Sequence, residues 1–146
     1  LSLHDALPIY MKRLSRPLLD RLDICVEAPA LKYKDLVRKG ENESSETIRA
    51  RVERARARQE ARFAGTGIRF NSRMNGRDVR KYCPIDAEQE RYLRHIFEVK
   101  GLSARAYHRI LKVARTIADL AERENISIED IAEAAGYRGI EEKFMR

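Results

Sequence analysis

Apolar residues recur at intervals of three and four through the second half of the chain, and this spacing predicts amphipathic helices. The clearest case is the segment from Gly101 to Leu120. Ser103 is its predicted N-cap, and Leu102 with Tyr107 forms a hydrophobic staple at its entry. Its predicted buried stripe consists of Tyr107, Ile110, Leu111, Ala114, Ile117, Ala118 and Ala121. We therefore expect one face of this helix to lie in the core.

The same periodicity predicts four further helices, which are joined by short turns. Their predicted bounds are 46–63, 76–83, 86–99 and 127–136. Asp86 with Gln89, and Ser127 with Asp130, have the spacing of capping boxes, in which two side chains satisfy each other's free backbone amides. Residues 46–138 are therefore expected to form a bundle of about five helices.

A different pattern stands near the start of the chain, where Leu22, Ile24 and Val26 alternate with polar or small residues. Strict alternation predicts a β-strand. One strand is not stable by itself, and the remaining sequence offers no convincing partner for it. The predicted fold class is therefore mainly α: a helical bundle preceded by one strand left over from an upstream α/β core.

The composition narrows the range of partners. The 146 residues include 30 Lys and Arg against 23 Asp and Glu, a net charge of +7, which favours nucleic acid, nucleotides or another polyanion. Cys25 and Cys83 have neither the spacing of a zinc site nor that of a disulfide framework, so we predict no metal site and a reducing compartment. No apolar run is long enough to span a membrane, and we expect a cytoplasmic protein.

Arg105 lies in the first turn of the strongest helix, where a cation is unfavourable. The N-terminal end of a helix carries partial positive charge, so an arginine there costs roughly 0.3–1 kcal/mol unless an anion is present. Free amides, a helix dipole and a guanidinium together suit a phosphate or carboxylate. Arg109 and Lys112 follow at spacings of four and seven and would add to such a site. The alternative is a surface arginine paired with a nearby carboxylate.

The helix over 46–63 is rich in arginine and has only a thin apolar stripe. Its arginines stand at positions 49, 51, 54, 56, 58 and 62. We interpret most of them as a solvated face of the helix.

Two segments of the chain resemble parts of one protein family. LSRPLLDRLDICVEAP resembles the end of the ATPase core in the magnesium-chelatase-like AAA+ proteins of the ComM (YifB) family, and residues 45–138 are similar to that family's C-terminal helical domain. SARAYHRILKVARTIADL and RFAGTGIRFN, with the YC that follows, carry the resemblance most specifically. From the resemblance we predict these domain boundaries: 1–9 unassigned, 10–30 end of the ATPase core, 31–45 linker, 46–138 helical lid domain and 139–146 tail.

The resemblance implies an ATPase that remodels DNA. In AAA+ rings, ATP with Mg²⁺ lies between neighbouring subunits; the lid offers a sensor-2 arginine, and the adjacent subunit offers an arginine finger. The sensor-2 position matches Arg105, and the finger position matches Arg21. Arg109 would join Arg105 at the nucleotide by its spacing of four, not by the resemblance. The resemblance further implies a homohexameric ring that acts as a branch migration helicase in DNA uptake and recombination. The chain has no Walker A or Walker B sequence, so most ATP ligands would lie outside it, and it should be inactive alone.

The residues leave two other functions open. Two predicted helices meet at the tight turn Lys100-Gly101-Leu102, as in a stand-alone helix-turn-helix module that binds DNA. The second helix would then present Arg105, Arg109 and Lys112 to the DNA. An oligomerisation bundle without a ligand is the third possibility.

Overall fold

The computed structural model describes residues 21–28, 30, 32–33 and 42–138. The predicted segments 1–9 and 139–146 lie outside the described residues, as does most of the predicted linker.

Residues 42–138 form the predicted bundle of five α-helices, with one short 3-10 helix between the first two. The elements are α1 Ser45–Arg62, the 3-10 helix Asn71–Arg73, α2 Gly76–Tyr82, α3 Ala87–Lys100, α4 Ala104–Leu120 and α5 Ile128–Gly136. This confirms the prediction of a mainly helical architecture. Each predicted helix end lies within one residue of the observed end.

The helices begin where local side chains satisfy their first backbone amides. Asn75, Asp86 and Ser127 each form a complete capping box with the residue three positions later. Ser103 caps α4, its hydroxyl accepting a hydrogen bond from the Ala106 amide at 3.2 Å. Gly101 ends α3 in the left-handed conformation, with φ of 56°, which a side chain at this position would strain. Each of these helix boundaries is therefore fixed by residues that lie within a few positions of it in the sequence.

α4 is the central helix, because α1, the 3-10 helix, α2 and α5 all pack against it. The core of its predicted stripe is confirmed: Ile110, Leu111, Ala114 and Ala118 are buried. Tyr107 and Ile117 are half-buried. Ala121 is exposed, contrary to the prediction, because α4 ends at Leu120 and Ala121 is its C-cap.

Two charged residues of α4 lie in the core, which the apolar stripe does not predict. Asp119 is fully buried, and Arg115 is 2% exposed. The Asp119 carboxylate accepts hydrogen bonds from both terminal nitrogens of Arg62 in α1 and from Asn71 Nδ2 at 2.9 Å. Arg115 lies 3.3 Å from the same carboxylate. This network joins α1, the 3-10 helix and α4 at one buried anion.

The predicted strand at 22–26 is not observed, and residues 21–28 contain no strand. A strand needs a neighbouring strand with which it exchanges backbone hydrogen bonds, and the described residues provide none. Instead, the segment lies against the bundle through its backbone. The Cys25 amide donates to the Tyr137 carbonyl oxygen at 3.0 Å, and Arg138 Nη1 donates to the Leu22 carbonyl oxygen at 3.0 Å. The alternating apolar side chains of the segment remain exposed.

Candidate functional site

The candidate site begins at the N-terminus of α4, where Arg105 is exposed. The next residue, Ala106, is 1% exposed, and Ile110 one turn later is equally buried. Burial of these two side chains fixes the rotation of α4 about its axis and directs the Arg105 position toward solvent. The positive end of the helix dipole lies in the same turn. Arg105 is therefore accessible to an anion that approaches from outside the bundle.

Arg109 lies one turn further along α4 and binds the segment at 21–25. Its Nη1 lies 2.5 Å from Asp23 Oδ1 and also donates to the backbone carbonyl of Arg21. The Arg109 side chain is 21% exposed and that of Asp23 is 52% exposed, so water partly screens the pair. Asp23 thus pairs with Arg109, and the structure brings the backbone of Arg21 to the same face of α4 as Arg105.

Lys112 is directed away from this site, although it shares the spacing of Arg105 and Arg109. Its Nζ donates to the Ser72 carbonyl oxygen at 3.1 Å, beside the 3-10 helix. Of the three predicted cations, Lys112 contacts the loop before α2, and Arg109 contacts the 21–25 segment. The spacing of Lys112 and Arg109 in the sequence could not predict these different contacts, because the contacted residues lie 40 and 86 positions away.

A mostly apolar groove of about 340 Å³ runs between α3 and α4, beginning beside the same helix end. Its lining residues are Glu90, Leu93, Arg94, Phe97, Glu98, Ala104, Tyr107 and His108. Burial, with a smaller contribution from Glu90, raises the pKa of Tyr107 above its ordinary value. The phenol is therefore neutral at physiological pH and offers a donor as well as a ring surface.

The cysteine and histidine residues that the structure describes show no arrangement for nucleophilic or metal chemistry. Burial raises the pKa of the Cys83 thiol to about 11, so the reactive thiolate is scarce at neutral pH. His108 packs against Gly76, where an added Cβ would lie 3.2 Å from the imidazole Nε2. Within the described ranges, no group of three or more His, Cys, Asp or Glu side chains could hold a metal ion. In the same ranges, no helix is long and apolar enough to cross a membrane.

The surroundings of α4 argue against a helix-turn-helix module. A recognition helix must leave one face open to enter the major groove of DNA. In α4, the face that carries the cations is partly occupied, because Arg109 binds Asp23 and the Arg21 carbonyl oxygen and Lys112 binds the Ser72 carbonyl oxygen. The predicted turn at Gly101 is present, but the helix that follows it is the centre of a bundle.

Comparison with known proteins agrees with the resemblance. Residues 42–138 match the family described as magnesium chelatase, subunit ChlI C-terminal. The chain is 40% identical over 133 residues to the uncharacterized protein YifB of Salmonella typhimurium, which covers 90% of this chain and 26% of that protein. It is 39% identical over 132 residues to the competence protein ComM of Haemophilus influenzae, covering 90% of this chain and 25% of that protein. The chain spans about a quarter of the length of these curated relatives.

Proposed function

The chain belongs to the family of the magnesium chelatase subunit ChlI C-terminal domain, and we propose that it is the lid part of a AAA+ ATPase that couples ATP hydrolysis to DNA remodelling. In this proposal Arg105 is the sensor-2 residue and Arg21 is the arginine finger. ATP with Mg²⁺ is bound mainly by residues outside the chain, because Walker A and Walker B sequences are missing from it.

The observation that carries the proposal is the placement of Arg105. Arg105 is exposed in the first turn of the central helix, at the positive end of the helix dipole, which is a place that favours a phosphate. A guanidinium also presents two donors in one plane, which fits two oxygens of a phosphoryl group and stabilises the charge that develops during its transfer. Arg109 adds a second positive charge one turn away, partly offset by Asp23.

Arg21 is proposed to act on the nucleotide of a neighbouring subunit. Its side chain is exposed, while its backbone carbonyl is held by Arg109. A residue anchored through its main chain can present its side chain across a subunit boundary without losing its position. A homohexameric ring would place each Arg21 beside the ATP of the next subunit.

DNA is the molecule on which we propose that the intact ATPase acts. One relative is named a competence protein, and the chain carries a net charge of +7, which suits a polyanion. We propose branch migration during DNA uptake or recombination, in the cytoplasm, as the activity of the intact protein.

A chimera tests the proposal directly. This chain would replace the matching quarter of the Salmonella typhimurium relative, and ATP turnover would be measured with and without DNA. Removing an arginine that stabilises the transferring phosphoryl group costs about 10³–10⁵ in turnover in related systems, so Arg105→Ala and Arg21→Ala should each lower turnover at least a hundredfold. Arg91→Ala, which removes an exposed arginine from α3, is the matched control and should leave turnover unchanged.

Mixing the two inactive chimeras tests whether Arg21 acts across subunits. A subunit with intact Arg105 can still receive Arg21 from a neighbour of the other type. A one-to-one mixture should therefore regain about a quarter of the intact sites if subunits mix at random in a ring. Full turnover in both single variants would refute the proposed roles, and no recovery in the mixture would refute action between subunits.

A further inference from the structure

The charge of the bundle is concentrated in its first part. Residues 45–82 contain 11 Lys and Arg against 4 Asp and Glu, a net charge of +7. Residues 83–138 contain 9 Lys and Arg against 10 Asp and Glu, a net charge of −1. The basic excess of the bundle therefore lies in α1, the following loop and α2, whereas the acidic residues of 83–138 offset the cations of α4.

Some arginines of this region have structural partners. Arg51 pairs with Glu43 at 2.9 Å, Arg54 pairs with Glu122 at 2.7 Å, and Arg62 binds the buried Asp119. Other exposed arginines form no ion pair with any residue that the structure describes. They are Arg49, Arg56, Arg69 and Arg73. Residues 64–75 contain two of them and no acidic residue.

Two contacts bring the elements that carry these arginines together. Arg56 and Arg49 lie seven residues apart on the same face of α1, which separates them by about 10 Å along the helix. The Arg56 guanidinium lies 5.8 Å from the centre of the exposed Phe70 ring, which connects α1 to the loop. Lys112 binds the Ser72 carbonyl oxygen, which connects the loop to α4. The surface, here called the basic band, consists of Arg49, Arg56, Arg69, Phe70, Arg73 and Lys112.

We propose that the basic band binds the phosphate backbone of DNA. Guanidinium groups bind phosphate oxygens in pairs, and contacts to the backbone need no particular base sequence. The Phe70 ring is exposed beside the Arg56 guanidinium and adds an apolar contact of the kind on which bases or sugars pack. The choice of DNA among polyanions rests on the proposed function; the location of the site rests on the contacts above.

The test measures DNA binding by the chain without ATP. Fluorescence anisotropy of labelled DNA of about 30 nucleotides, as a single strand and as a duplex, gives Kd over a range of salt concentrations. The double variant Arg69→Gln/Arg73→Gln removes two charges from the band. The control, Arg91→Gln/Arg94→Gln, removes two exposed charges from α3, where Arg94 forms only a loose pair with Glu90 at 3.5 Å.

With at least one DNA form, the band variant should bind about tenfold more weakly, and its salt slope should fall by about two, one for each lost phosphate contact. The control should bind like the unchanged chain. Equal losses in the two variants, or no binding by the unchanged chain at low salt, would overturn the proposal. Because the assay contains no ATP, this result is separate from the outcome for Arg105 and Arg21.

Hydrogen exchange gives a second measurement that needs no variant. Backbone amides in residues 69–75 should exchange more slowly when DNA is bound, whereas those on the exposed face of α3 should not change. Protection of α3 without protection of the loop would place the DNA elsewhere and overturn the assignment.

Discussion

Replacing Asp119 by asparagine removes the charge of the buried network while nearly preserving its shape. The carboxylate is fully buried and lies between two guanidinium groups, those of Arg62 and Arg115. Asparagine keeps one acceptor oxygen, but it turns an NH₂ group toward donors that cannot accept from it. Two guanidinium groups and the Asn71 amide then compete for a single neutral acceptor.

The expected loss follows from the burial of the partners. Removing one member of a buried ion pair costs about 3–5 kcal/mol, because the remaining charge stays buried without compensation. Arg115 is 2% exposed, and burial lowers its pKa from the ordinary value, an effect that Asp119 opposes. A domain of this size has a free energy of unfolding of about 5–15 kcal/mol. Asp119→Asn should therefore remove a large part of the stability.

Urea denaturation followed by circular dichroism measures this loss. With a slope of about 1–3 kcal/mol per molar urea, a loss of 3 kcal/mol lowers the midpoint by about 1–3 M. Glu122→Gln is the matched control, because it breaks another arginine–carboxylate pair, with Arg54, only three residues further on. Both of those side chains are about half exposed, so the control should cost less than about 1 kcal/mol.

An equal fall of the urea midpoint in Asp119→Asn and Glu122→Gln, with unchanged slopes, would refute this expectation. That result would mean that water reaches Asp119 and its partners in solution, so that burial of the network adds nothing. It would also remove the basis for treating α1, the 3-10 helix and α4 as joined at one buried anion.

Three further predictions follow from other contacts. Asp23→Asn and Arg109→Gln should each speed hydrogen exchange at the Cys25 amide, and the double variant should do no more than Arg109→Gln alone, because that variant already removes both the ion pair with Asp23 and the contact with the Arg21 carbonyl; additive effects would contradict this. Unfolding free energy should fall between about pH 9 and pH 11, because the folded state holds the Cys83 thiol protonated up to a pKa of about 11 while the unfolded thiol ionises near its ordinary value. In Cys83→Ala, urea titrations over this pH range should show a smaller fall, and an unchanged fall would rule out the thiol. Gly101→Ala should lower the unfolding free energy by about 1 kcal/mol, because its φ is 56°; an unchanged or higher midpoint would contradict this.

The helices of this bundle are predictable because their signals are local. A capping box needs two side chains three positions apart, and Asp86 with Gln89 shows it in the sequence and in the structure. The left-handed end at Gly101 is equally local. The strand predicted at 22–26 is not observed among the described residues. The alternation that predicts it is local, but a strand exists only with a partner, and the prediction places that partner in an upstream core.

The buried network around Asp119 is not predicted from the sequence, because its members are far apart along the chain. Asp119 and Arg62 are 57 positions apart, and a charged residue in an amphipathic helix is read as exposed. One signal was available in the sequence: Arg115 and Asp119 are four apart, and each directly follows an alanine of the predicted stripe. An opposite charge pair inside an apolar stripe indicates burial of both charges together.

Arg109 has a tertiary contact that its spacing from Arg105 in the sequence does not predict. The two arginines share one face of α4, and by spacing alone either one would serve an anion. The structure gives Arg109 a carboxylate 2.5 Å away, so an incoming phosphate would have to compete with Asp23 for it. Arg105 stands one turn nearer the positive end of the helix, where a phosphate is favoured most. In the proposed site Arg105 is therefore the first ligand by its place in the helix, while Arg109 holds the 21–25 segment, and with it the backbone of Arg21, against the same helix.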